Sequence, residues 1–295
     1  MSGVYAPVPT PFTETGDLAL DRFAANVRHW SETPLAGLVI LGSNGEAVHL
    51  SRDEKIDLLR AARQAYPANR PIIAGTGQEA TRQTIDLTRR AADVGCDLAL
   101  VSTPSFFIRH NMDGQRRHFE AVADASPLPV LLYNVPRYTG CDLPAEVIVH
   151  LAAHPNITGL KDSGGDVAKI TDVLRRVPPD FQVLAGSAGF LYPFLAVGAV
   201  GGVLALANIT PDLCHGIYEA VRTGRHEDAQ ALQKRAAPLN TAITATFGVP
   251  GLKQALDWLG YYGGPPRLPL APLDEAQQAR LQKIMREGGI LPDGR

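Results

Sequence analysis

The chain has 295 residues, 45% of them hydrophobic and 20% charged, and its 28 basic and 30 acidic side chains leave a net charge of −2. Neither sign forms a long block and no stretch has the length and apolarity of a membrane span, so neither nucleic acid nor a membrane is the expected partner; a small molecule is. Cys96, Cys141 and Cys214 are odd in number and far apart, which fits a reducing compartment better than a disulfide framework; the chain therefore reads as cytoplasmic.

Eight short apolar segments follow one another, at residues 4–9, 37–41, 71–75, 97–102, 129–134, 157–161, 181–185 and 200–207. Turn residues follow each, and most then lead into a helical pattern. Their starts lie roughly 20 to 35 residues apart, the spacing of βα units whose parallel strands need a crossover helix. Ser51-Arg52-Asp53-Glu54 is a capping box ahead of Ile56, Leu58 and Leu59. An amphipathic stretch over 81–94 stops at Gly95, Leu143-Pro144 opens a helix ended by Pro155, and Asp166 is placed to cap another. Thr210-Pro211 starts a helix through Ile217 and Val221 that closes at Gly224. Three further helices are expected over 226–246, 249–259 and 274–286.

The economical fold is α/β, a (β/α)8 TIM barrel over residues 1–225 with a C-terminal helical region, 226–295, packed on it. An open doubly wound sheet also alternates strands and helices. However, Gly42-Ser43-Asn44-Gly45 and Gly75-Thr76-Gly77 do not complete the dinucleotide fingerprint of that fold.

In a barrel the strand ends carry the chemistry. Here that rim holds Thr10, Ser43-Asn44-Gly45-Glu46, Thr76, Thr103, Tyr133-Asn134, Lys161-Asp162-Ser163, Gly186-Ser187 and Asn208. It has no histidine or carboxylate cluster, so neither a metal site nor paired-carboxylate glycosidase chemistry is expected. Glu46 and Asp162 are read as helix caps, and His150 and His154 as solvated helix-end side chains. The segment 186–189 is either a phosphate cradle or a tight turn.

Strand alternation puts Ile157, Gly159 and Lys161 on one face, with the small Gly159 leaving room beside the lysine. A strand-end lysine commonly snorkels to solvent. Desolvated in a barrel, it is instead a nucleophile that captures a ketone as an iminium, an electron sink. Tyr133 is either a half-buried rim aromatic or the general acid and base beside that lysine. Ser43-Asn44-Gly45 is an ordinary turn or a seat for a carboxylate.

GSNGE, the YNVPxxTG segment from Tyr133 to Gly140, and the GLKDS strand together resemble the dihydrodipicolinate synthase and N-acetylneuraminate lyase family of pyruvate-dependent class I aldolases. The resemblance spans nearly the whole chain. Within it, KDSGGDV, FQVLAGSAGF, GAVGGVLALAN and FGVPGLKQALDWLGYYGGPPRLPL look most like the 4-hydroxy-2-oxoglutarate aldolases. It implies Lys161 as the Schiff-base lysine, Tyr133 as the proton-transfer residue, Ser43 and Asn44 on the carboxylate of the pyruvate half, and Ser163 and Gly186 lining the pocket. No cofactor is implied. A homotetramer is, as a pair of dimers meeting near the loop after the fourth strand.

Two positions depart from the family pattern. Phe106 stands where a relay tyrosine is common, and Tyr138 stands where the synthases place an arginine, with Arg137 beside it. The expected reaction is cleavage of 4-hydroxy-2-oxoglutarate, or a close hydroxy-2-oxo acid, to pyruvate and an aldehyde such as glyoxylate. Dihydrodipicolinate synthase activity and deoxy sugar acid dehydration through the same iminium are alternatives, and so is a non-catalytic 2-oxo acid sensor.

Overall fold

Side chains alternate between two apolar layers along the strands, broken by a bulge in the sixth, and this alternation organises the molecule. The computed structural model describes residues 1–292. Eight parallel strands close in sequence order, with β8 paired to β1. They are β1 (Gly3–Pro7), β2 (Gly37–Ile40), β3 (Ile72–Gly75), β4 (Leu98–Ser102), β5 (Val130–Asn134), β6 (Ile157–Asp162), β7 (Gln182–Ala185) and β8 (Gly201–Val203). Tyr5, Val39, Ile73, Leu100, Leu131, Leu184 and Val203 fill the barrel interior. Their neighbours Val4, Ala6, Leu38, Ile40, Leu132 and Val183 point outward into the larger cluster beneath the helices. A chain whose strands are apolar on both faces buries both this way, as an all-parallel sheet requires.

The helices are α1 (Leu20–Ser31), α2 (Arg52–Ala65), α3 (Thr81–Val94), α4 (Met112–Ala125), a single turn α5 (Pro136–Thr139), α6 (Ala145–Ala152), α7 (Val167–Arg176), α8 (Leu191–Ala196) and α9 (Pro211–Arg222). Then come α10 (His226–Thr241), which runs on as a π-helical turn over Ala242–Thr246, α11 (Gly248–Trp258) and α12 (Glu275–Glu287). The expected signals work as chemistry. Ser51 and Glu54 form the reciprocal capping box, Gly95 ends α3 at φ 91°, and Asp166 accepts the Lys169 N–H.

Two expectations about strands need correction. The eighth strand stops at Val203, and Ala205–Asn208 turn into a 3-10 helix rather than extending to residue 207. In β6, Ile157 does not share a face with Gly159 and Lys161. Val130 pairs with Ile157 but Leu131 pairs with Gly159, so Thr158 is an extra residue, and Ile157 joins Leu160 in the helix-facing cluster. A bulge of one residue reverses the parity of everything before it.

No helix among the described residues is long and apolar enough to cross a membrane.

Candidate active site

Lys161 and Tyr133 sit directly opposite each other on β6 and β5. Both point into the barrel, and both are buried, at 3% and 6% exposure. The Lys161 Nζ lies 4.0 Å from the centroid of the Tyr133 ring. No carboxylate among the described residues comes within ion-pair distance of it. The lysine therefore does not snorkel, and among the described residues its nitrogen has no hydrogen-bond or ion-pair partner. The Tyr133 hydroxyl reaches across the barrel to Ser43 Oγ at 3.2 Å. Lysine, phenol and serine hydroxyl thus form one continuous constellation.

Gly159, two residues before Lys161, leaves no space beside the lysine, contrary to expectation. A Cβ there would lie 2.3 Å from the Gln182 carbonyl oxygen, so the neighbouring strand occupies that volume. Gly159 serves the close approach of β6 and β7.

Ser43 and Asn44 begin a 3-10 turn after β2. The Asn44 amide donates to the Pro7 carbonyl at 3.4 Å. Ser163 and Gly186 meet at the ends of β6 and β7. Ser163 Oγ donates to the Gly186 carbonyl at 3.5 Å, and Gly186 N–H donates to the Asp162 carbonyl at 2.7 Å. A Cβ at residue 186 would fall 2.0 Å from Ser163 Oγ, so only glycine fits there. The segment 186–189 is a tight turn engaged by α10: Asn240 exchanges hydrogen bonds with Ser187, and Gln233 donates to the Ala188 carbonyl.

Beyond these residues the rim opens to water. Phe106 and Phe107 are 76% and 90% exposed, stacked edge to face at 4.8 Å, on a loop whose Ser105 and Phe106 N–H groups donate to the Glu79 carboxylate. Tyr138 is 60% exposed. Arg137 donates to the Ala245 carbonyl at 3.3 Å, which commits its guanidinium to the C-terminal helices. His150 and His154 pair with Glu120 and Asp124 of α4, so they act as surface ties.

Two networks behind the site were not foreseen. Asp162 caps no helix. It is fully buried and accepts from the Asn134 amide at 2.7 Å and from the N–H groups of Gly164 and Gly165. Lys169 bridges it to Asp142, and those two acids hold the lysine's proton above its usual range against the opposing effect of burial. Because Asn134 and Asp162 are the next register pair after Tyr133 and Lys161, they tie the two strands together on the outer face. Glu46 is no cap either. Its carboxylate is buried against Lys253 of α11 at 2.7 Å and accepts the Arg267 N–H at 2.9 Å. Neighbouring residues predict the first network in part, since Asn134 and Asp162 flank the candidate pair. Nothing local predicts the second.

Comparisons with known proteins place the chain in a family. The dihydrodipicolinate synthetase family matches residues 1–288. The chain belongs to that family. It is accordingly a pyruvate-dependent class I aldolase, a lyase that works through a Schiff base. A 4-hydroxy-tetrahydrodipicolinate synthase from an Exiguobacterium species is 36% identical over 286 residues, 97% of both chains. The enzyme of that name from Methanosarcina mazei is 34% identical over 290 residues, 98% of this chain and 99% of that one. Among solved structures, a dihydrodipicolinate synthase from Bacillus anthracis superposes with a TM-score of 0.94 at 30% identity, covering 99% of each chain. A chloride-inhibited dihydrodipicolinate synthase from Acinetobacter baumannii, complexed with pyruvate, gives 0.94 at 31% identity over 98% of this chain and 99% of that one. These members of the family carry the synthase name rather than the 4-hydroxy-2-oxoglutarate aldolase name, and to that extent they favour the condensing alternative over cleavage.

Proposed function

We propose that Lys161 is the Schiff-base lysine and Tyr133 the proton carrier, and that the reaction is reversible carbon–carbon cleavage of a 4-hydroxy-2-oxo acid, with 4-hydroxy-2-oxoglutarate as the reference substrate. The observation that carries this reading is the buried, unpaired Lys161 nitrogen 4.0 Å from the ring of a tyrosine whose hydroxyl is itself held by Ser43. The lysine nitrogen attacks the 2-oxo carbon, and loss of water leaves the iminium. Tyr133 takes the proton of the 4-hydroxyl. The C3–C4 bond breaks, its electrons pass to the iminium as an enamine, and glyoxylate leaves. Protonation at C3 and hydrolysis then release pyruvate and restore the amine. In this reading Ser43 and Asn44 hold the carboxylate of the pyruvate half, while Ser163 and Gly186 shape the wall beside it. No cofactor or metal takes part.

The second substrate half is where the readings divide. Cleavage is favoured by the chain's own rim, where Phe106 offers no hydroxyl and Tyr138, not an arginine, follows Arg137. Condensation of pyruvate with aspartate semialdehyde is favoured by the names of the relatives. One experiment separates them: pyruvate release from a panel of 4-hydroxy-2-oxo acids, run beside the condensation assay. Faster cleavage upholds the first reading and faster condensation the second. Turnover in neither assay, with pyruvate still bound, identifies a sensor.

The assembly belongs to the same proposal. Residues 1–225 form the catalytic barrel of a cytoplasmic homotetramer, the C-terminal helices α10 to α12 support it, and the exposed Phe106–Phe107 pair meets its mate across a two-fold axis. A monomer mass in light scattering would overturn this.

A further inference from the structure

The turn that carries Ser43 and Asn44 is held in a conformation that local sequence does not favour. Leu41 and Glu46, on either side of it, both have positive φ, at 64° and 52°, although neither is glycine. Such residues persist where surrounding structure over-determines them. What fixes Glu46 comes from the far end of the chain. Its carboxylate, 1% exposed, meets the equally buried Lys253 ammonium at 2.7 Å. Its second oxygen accepts the Arg267 N–H at 2.9 Å and lies 3.5 Å from His49 Nδ1. Lys253 also donates to the Pro265 carbonyl at 2.9 Å and sits 4.5 Å from the centroid of the Phe12 ring. Arg267 covers the same ring at 4.3 Å, binds Glu54 through two nitrogens, and donates to the carbonyls of His49 and Gly16. Lys253 and Arg267 thus join the segment after β2, through Glu46, His49 and Glu54, to Gly16 and to Pro265.

We infer that Lys253, through its buried ion pair with Glu46, is a positioning residue for the Ser43–Asn44 turn, and that the C-terminal helices thereby set how the substrate carboxylate is held. A buried pair of this kind is weak as a source of stability, because desolvation offsets the attraction. It is strong as a fixed point, because both ends must stay within hydrogen-bond reach. Ser43 is three residues from Glu46, and the Glu46 N–H donates to the Ser43 carbonyl at 3.2 Å, so a shift of the carboxylate is passed to the hydroxyl that meets Tyr133. The inference rests on the proposal that this turn binds the substrate carboxylate.

The test compares the full-length wild type with Lys253→Met and with the double variant Glu46→Gln/Lys253→Met. It uses amide hydrogen exchange over residues 42–50, the pyruvate concentration that half-saturates borohydride trapping, and melting temperature. In Lys253→Met, exchange over 42–50 is expected to speed up about tenfold and half-saturating pyruvate to rise about tenfold. The double variant, which buries no unpaired charge, regains melting temperature but not pyruvate affinity. Wild-type exchange and wild-type affinity in either folded variant would overturn the inference, as would recovery of affinity together with melting temperature in the double variant. If Lys253→Met does not fold, the double variant carries the same readouts. If the wild type traps no pyruvate, the Schiff-base reading falls, while faster exchange in the variants still upholds the hold of Lys253 on the turn.

Discussion

The inner and outer halves of the site are built by different means. Lys161 and Tyr133 are buried and set by strand register, and the Tyr133 hydroxyl meets Ser43 of the turn after β2 at 3.2 Å. Phe106 and Phe107 on a loop, and Arg137 and Tyr138 on the single turn α5, stand largely in water. A barrel can therefore keep one covalent chemistry in its floor and vary the partner molecule at its rim. In this chain, the departures from the family pattern fall on the rim.

The largest effect that would break this division is expected at Lys161. Lys161→Ala should abolish both turnover and the reduced pyruvyl adduct seen by mass spectrometry, with the melting temperature little changed. An adduct on another lysine would end the argument for the inner half. Tyr133→Phe keeps the buried ring but removes the hydroxyl, and should lower turnover by about 10²–10⁴-fold while trapping persists. A near-normal rate would make the phenol mere packing.

The scaffold just outside the rim titrates separately from both halves. His118 of α4 is buried, which lowers its pKa from 6.5 to about 4. As pH falls below 6.5 the unfolded chain takes up this proton and the native one does not. Stability should therefore decline between pH 6.5 and about 4 by on the order of 3 kcal/mol, and the decline should level off below that. His118→Asn should flatten this slope in melting curves without altering pyruvate trapping; an unchanged slope would exclude the histidine. The smallest expected effect is at the rim. Phe106→Tyr/Tyr138→Arg should shift the ratio of condensation to cleavage by about tenfold toward condensation, the scale of one charge-assisted contact. No shift in initial-rate assays would mean that acceptor choice lies elsewhere.

How much of this was legible in sequence follows from range. Capping boxes at Ser51 and strand alternation at Gly159-Leu160-Lys161 are local, and they placed α2 and the lysine correctly. The bulge at Thr158 depends on the partner strand, so Ile157 was assigned to the wrong face. The volume beside Gly159 belongs to β7, some twenty residues on, and a glycine that seemed to open space proved to be filled from outside. Glu46 offered the composition of a helix cap, and only the folded chain shows its carboxylate taken by Lys253. Lys161 and Tyr133 could be named as candidates because barrel strand ends are few, and the fold places the two side by side.

That last separation has a consequence during synthesis. Glu46 and Lys253 are 207 positions apart. A ribosome adding about 5–20 residues per second makes the acid roughly 10–40 s before its buried counter-ion. Over that interval the β2 turn lacks the contacts that Lys253 and Arg267 make with Glu46. The β2 turn therefore gains the α11 counter-ion of its Glu46 only within the last quarter of translation.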